Sequence, residues 1–194
     1  MLAAAGRRML SRARGRGFTL IEVLLAMSIF GLVMAAALPN FSKWIANSRV
    51  RTTAESIQNG LMLAKAEAVR RNAKVQLVLT STTPTVANVG TVTASTTGTG
   101  WLIRQYHASG TYTSADFVQG RSIAEGGSNT AVTAGQSAFI FTGTARLSPL
   151  PASAVSIDIS ATGSTRALRI TVEPGSAIRM CDPALSIATT TMGC

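Results

Sequence analysis

Apolar residues run almost unbroken from Phe18 to Leu38, 21 positions carrying one charge, Glu22. At about 1.5 Å per residue a helix of that length spans roughly 30 Å, the hydrocarbon thickness of a bilayer. Beyond Pro39 the pattern turns from continuous to periodic. Val50, Ala54, Ile57, Leu61, Ala64 and Ala68 recur at spacings of four and three, one apolar stripe on a helix, with Arg49, Thr53, Ser56 and Lys65 off it. The stripe stops near Arg70-Arg71-Asn72, where basic side chains suit a helix C-terminus. A helix from Phe18 to about Arg71 would be roughly 80 Å long, so its N-terminal half is expected to protrude from the domain.

From Lys74 onward short alternating or β-branched runs replace the helical period. Lys74 to Thr80, Trp101 to His107, Asp116 to Ile123, Ser137 to Thr142, Val155 to Ser160 and Ala167 to Val172 read as strands, with Gly163 in the last turn. The Thr/Ser/Gly/Val stretch from Ser81 to Gly100 reads as a loop or weak hairpin. Strands at this spacing without intervening helices predict an antiparallel sheet, whose face would cover the helical stripe. The predicted class is α+β, a long protruding N-terminal helix packed on an antiparallel β-sheet head.

Charge sharpens the picture at the N-terminus. The 194 residues hold 18 Lys plus Arg against 8 Asp plus Glu, and five of the arginines (7, 8, 12, 14 and 16) precede Phe18 with no acid among them. A basic segment before an apolar helix orients it with the arginines cytoplasmic. Three fates are then open. Ala35-Ala36-Ala37 offers a secretory cleavage site, against which stand Glu22 inside the apolar run and Pro39 just past the cut. A plain anchor leaves Glu22 as an unexplained cost of about 3 kcal/mol near the bilayer interior. Removal of the leader between Gly17 and Phe18 instead creates an α-amino group four residues from Glu22. In a bundle of such helices the carboxylate of one subunit can then neutralise the amine of its neighbour.

Gly17-Phe18-Thr19-Leu20-Ile21-Glu22 resembles the class III signal of type IV pilins and type II secretion pseudopilins. That resemblance implies cleavage after Gly17 by a prepilin peptidase, N-methylation of Phe18, assembly through Glu22, and a helix-kinking role for Pro39. The expected organisation is a cleaved leader (1–17), a transmembrane and assembly half-helix (18–39), and a globular head (40–194). Within the head lie the second helix half (40–72), the β-sheet (74–180) and a closed tail (181–194). The head resembles the GspH/FimT group of minor pilins and pseudopilins through Ala64 to Asn72, Phe139 to Pro149 and Ile178 to Pro183, with a FimT/FimU-like tail.

The resemblance implies a structural subunit of a type IV pilus, acting in assembly priming or a tip complex, with twitching, adhesion or DNA uptake among its roles. Its expected partners are the peptidase, other minor and major pilins contacted through the N-terminal helix, and the bacterial inner membrane. There it would be a single-pass protein with a periplasmic head before entering a pilus or pseudopilus. In that oxidising setting Cys181 and Cys194 are expected to pair, free buried thiols being the alternative.

Two other functions compete: a type II secretion pseudopilin and a DNA receptor for natural transformation. Some FimT-like proteins bind DNA through a Gly-Arg-x-Arg motif, but here Gly175-Ser-Ala-Ile-Arg-Met-Cys181 keeps only Arg179, with Arg166 and Arg169 as nearby candidates. Arg166 and Arg169 are three apart and would face opposite sides of a strand. No phosphate loop, nucleophile elbow, zinc-protease helix or paired-carboxylate spacing is present, and His107, the single histidine, reads as a strand surface residue. No enzyme, cofactor or metal site is expected.

Overall fold

A computed structural model describes residues 17–126 and 129–194. The first 16 residues, with the expected leader arginines, lie outside it, as do the side chains of 36–39, including Pro39. Contacts divide the chain into two units, one ending at Asn40 and one starting at Phe41.

The first unit is the start of helix α1 (Leu20–Arg71). Residues Gly17 to Ala35 are exposed throughout, with Phe18 84%, Leu20 79% and Leu32 74% accessible. A continuous exposed apolar surface of this extent marks an interaction site. The α1 assignment continues through Pro39.

The second unit begins with the rest of α1. Val50, Ala54, Ile57, Leu61, Ala64 and Ala68 are all buried to 1% exposure or less, and Ala46 extends the stripe by a turn. Thr53, expected off the stripe, is buried too, at the edge of the same face. Ser56 and Lys65 tie the helix to the sheets. Trp101 Nε1 donates to Ser56 Oγ at 3.0 Å, and Lys65 Nζ donates to the Ser176 carbonyl at 2.7 Å. At Gly60 the helix lies close against the first sheet: a Cβ there would lie 3.0 Å from both Leu77 Cδ1 and Trp101 Cε2. The helix ends as Asn72 adopts φ 47° and Ala73 N–H reaches back to the Ala68 carbonyl at 3.2 Å. Glu67, held below the usual carboxylate range chiefly by a hydrogen bond from Arg70, accepts from Arg70 and Arg71 in that last turn.

Eight strands follow among the described residues: β1 (Val75–Thr80), β2 (Gly100–Gln105), β3 (Phe117–Arg121), β4 (Thr130–Ala134), β5 (Ala138–Phe141), β6 (Val155–Ala161), β7 (Leu168–Val172) and β8 (Ile178–Cys181). They form two four-stranded sheets, ordered β3-β2-β1-β5 and β4-β6-β7-β8, with every pairing antiparallel. One core joins the helical stripe to both, through Leu77, Leu79, Ile103, Phe139 and Phe141 of the first sheet and Ile157, Ile159 and Ile170 of the second.

The single expected sheet is in fact two, and the edges of the second are strands whose period-two signals are too weak for the sequence to announce. Thr130-Ala-Val-Thr-Ala buries only Val132 and Ala134, and Ile178 to Cys181 is an edge strand of four residues. Two other boundaries move. β2 ends at Gln105, leaving His107 in the following turn, and Asp116 sits in a short 3-10 turn (Ser114–Asp116) before β3.

β1 is buried at every position because the loop after it folds over its far side. Val89 and Val92 of that loop pack with Leu102, Tyr112 and Phe117. Gly98 permits the crossing, since a Cβ there would fall 2.3 Å from the Thr80 backbone.

Candidate functional site

Helix α1 opens with a reciprocal cap. Glu22 N–H donates to Thr19 Oγ1 at 3.3 Å, and Thr19 N–H donates to Glu22 Oε2 at 3.4 Å. A hydroxyl before the first helical residue and a carboxylate three positions on each satisfy one otherwise unpaired backbone donor. The lone acid of the apolar run therefore occupies the third helical position. Its carboxylate remains exposed, with capacity for a further donor. Gly17 and Phe18 precede the cap and are likewise exposed.

At the other end of the chain, β8 leads into a tail closed by a disulfide between Cys181 and Cys194. Asp182, 5% exposed, organises the closure. Its N–H donates to the Met192 carbonyl at 2.7 Å, while its carboxylate accepts from Ala184 N–H at 3.0 Å and from Arg166 at 2.9 Å. The Arg166 guanidinium, with Ala184 N–H second, holds this carboxyl below its ordinary range.

All three arginines singled out as DNA contacts have partners within the chain. Arg166 lies before β7 and pairs with Asp182. Arg169 pairs with Asp158 across β6 and β7 at 2.6 Å. Arg179 donates to the carbonyls of Thr191 and Gly193 at 2.9 and 2.6 Å, clasping the tail. The expectation that Arg166 and Arg169 face opposite sides of a strand does not apply, because only Arg169 is in one. Arg169 opposes Cys181, and Thr171 opposes Arg179, so Arg169 and Arg179 share the sheet face away from Ile170 and Val172. On that face Asp158 neutralises Arg169, while Arg179 is held by carbonyls.

A polar cluster that sequence reasoning missed lies over the first sheet. Arg104, 8% exposed, stacks its guanidinium 3.5 Å from the Tyr112 ring and donates to the Val89 carbonyl. Nearby, His107 Nε2 lies 2.7 Å from Asp116 Oδ1, and Asp116 accepts from Thr113 N–H at the same distance. The Thr113 backbone first, and His107 second, hold the Asp116 carboxyl below its usual range. Apolar runs locate strands but do not say which loop returns to cover them, so this cluster has no signal in the sequence. It fastens loops. Among the described residues no group of three or more His, Cys, Asp or Glu side chains could hold a metal ion.

The family model for the type II transport protein GspH matches residues 53–176, more than half the chain. The chain belongs to the GspH family. A second model, the prokaryotic N-terminal methylation motif, matches residues 12–38 and so includes the Gly17–Phe18 bond and Glu22. The fold is similar to that of the Pseudomonas aeruginosa type IV minor pilin FimU, at 15% identity and TM-score 0.51, covering 69% of this chain and 88% of that one. The minor pseudopilin EpsH of the Vibrio cholerae type 2 secretion system is also similar, at 11% identity and TM-score 0.47, covering 71% and 99%. No curated protein matches. The chain is thus a GspH-family member whose fold is similar to that of a type IV minor pilin. Its methylation motif implies processing by a prepilin peptidase and assembly among pilin-like helices.

Proposed function

We propose that this GspH-family chain is a minor subunit of a type IV pilus. A prepilin peptidase cuts between Gly17 and Phe18 and methylates the new terminus. Helix α1 then holds the protein in the inner membrane by its apolar half, with the head periplasmic. On assembly, Glu22 accepts the Phe18 amine of an adjacent subunit while its own Thr19 cap persists. Pro39 supplies local give in the helix at that step. The observation that carries this reading is the apolar run that starts beside Gly17, exposed from Phe18 to Ala35, with Glu22 as its single charge. Mass spectrometry of the mature protein tests it: the expected N-terminus is methylated Phe18, and a chain starting near Leu38 or retaining Met1 refutes it.

The family description favours a second reading, a pseudopilin of type II secretion. The two separate by whether deletion abolishes pili or secretion.

A further inference from the structure

We propose that Phe41 and Trp44 seat the base of the head in the headgroup layer of a phospholipid bilayer, on the side opposite the leader. The proposal rests on the apolar run being a membrane span. Phe41 is 58% exposed and Trp44 65% exposed, and their rings stack at 5.8 Å. Scattered exposed apolar residues are ordinary on any surface; a stacked aromatic pair is a different matter. Around the helix the two positions lie about 180° and 120° from Val50, off the face that enters the core. They follow the end of the apolar run at Leu38 by three and six residues, where interfacial aromatics flank membrane spans.

The chemistry fits that layer. Trp couples a large apolar ring to an N–H that needs a polar partner, the combination enriched at membrane–water boundaries. The buried Trp101 spends its N–H on Ser56, whereas Trp44 is surface-placed. Lys43 and Arg49 are exposed near the pair; Glu55 is bound to Arg51, and Glu125, which lines a groove with Trp44 and Arg49, is bound to Arg121. Two exposed cations beside two exposed rings complement anionic headgroups over acyl chains.

The chain has two tryptophans, so Trp101→Phe in the full-length protein leaves Trp44 as the reporter. The variant is reconstituted into phosphatidylethanolamine/phosphatidylglycerol vesicles and checked by flotation. Its fluorescence is then quenched by lipids brominated near the carbonyl end, by lipids brominated near the chain end, and by aqueous iodide. The expected result is flotation with shallow-bromine quenching about two-fold stronger than either alternative, as for an interfacial indole. Should Trp101→Phe not fold, the unsubstituted chain carries the same comparison, because Trp101 is 4% exposed and shielded from all three quenchers; Trp44→Ser then assigns the signal.

Flotation with iodide quenching overturns the anchor and leaves the span intact. Shielding from every quencher means a protein neighbour covers the pair, and equal deep quenching places Trp44 among acyl chains; either result overturns the proposal. Failure to float removes the span and the anchor together.

Discussion

Glu22 has two separable roles, and two substitutions distinguish them. As the third residue of α1 it caps the helix with Thr19, at 3.3 and 3.4 Å. A cap of this kind is worth about 1 kcal/mol, or roughly five-fold in an equilibrium. As the lone charge of an apolar run, it is proposed to pair with a neighbour's amine on assembly. Removing one partner of a buried charge pair leaves the other uncompensated and costs about 3 kcal/mol, more than 100-fold. Glu22→Gln keeps an acceptor for the Thr19 N–H but removes the charge, whereas Glu22→Ala removes both. Thr19→Ala removes half of the cap and keeps the charge.

The assay is the ratio of subunit in sheared fibres to subunit in the inner membrane, each normalised to wild type and each variant first confirmed to begin at Phe18. Both Glu22 variants are expected to lose incorporation by about 100-fold, differing from each other by no more than the cap's roughly five-fold, and Thr19→Ala to lose about five-fold or less. If Glu22→Gln enters fibres as well as wild type while Glu22→Ala does not, Glu22 acts through the cap and charge pairing is wrong.

Four further outcomes follow from the head. The disulfide joins residues 13 apart, so Cys181→Ser/Cys194→Ser should cost about 3 kcal/mol in the chain-entropy account, read from denaturant midpoints; a loss under about 1 kcal/mol would show the tail constrained without it. Gly60→Ala gains about 1 kcal/mol of helix propensity but pushes a methyl to 3.0 Å from Leu77 and Trp101, costing about 1–3 kcal/mol; thermal unfolding should show no gain, and a raised midpoint would refute the close approach. Glu67, Asp116 and Asp182 all have native carboxyls held below their ordinary values. Their contribution is complete above the ordinary carboxylate range of about 4, is lost as pH falls through it toward the depressed native values, and should diminish in Asp182→Asn; acid titration of the unfolding midpoint checks this. Arg179→Ala removes both donors to the tail carbonyls, so amide exchange at residues 191–194 should accelerate; loss in that variant of a low-salt DNA mobility shift seen with wild type would assign DNA contact to Arg179, and no shift in wild type would end that possibility.

The long helix, its apolar membrane-length run, its N-terminal methylation motif and its buried stripe were all legible in the chain. Each is a local pattern, since periodicity and charge placement along one helix need no knowledge of distant residues. The strands with strong apolar alternation were legible for the same reason. What the sequence could not specify was pairing. β4 and β8 gain their stability from neighbours, across β6 and β7, and their own side chains alternate too weakly to announce them. The partners of Arg166, Arg169 and Arg179 depend on which strands and turns the fold brings together, as does the loop cover that buries Arg104 beside Tyr112. An arginine's charge is written in the sequence; whether that charge meets a ligand or an internal carboxylate is settled only by contacts between residues far apart along the chain, which burial and hydrogen-bond geometry select together.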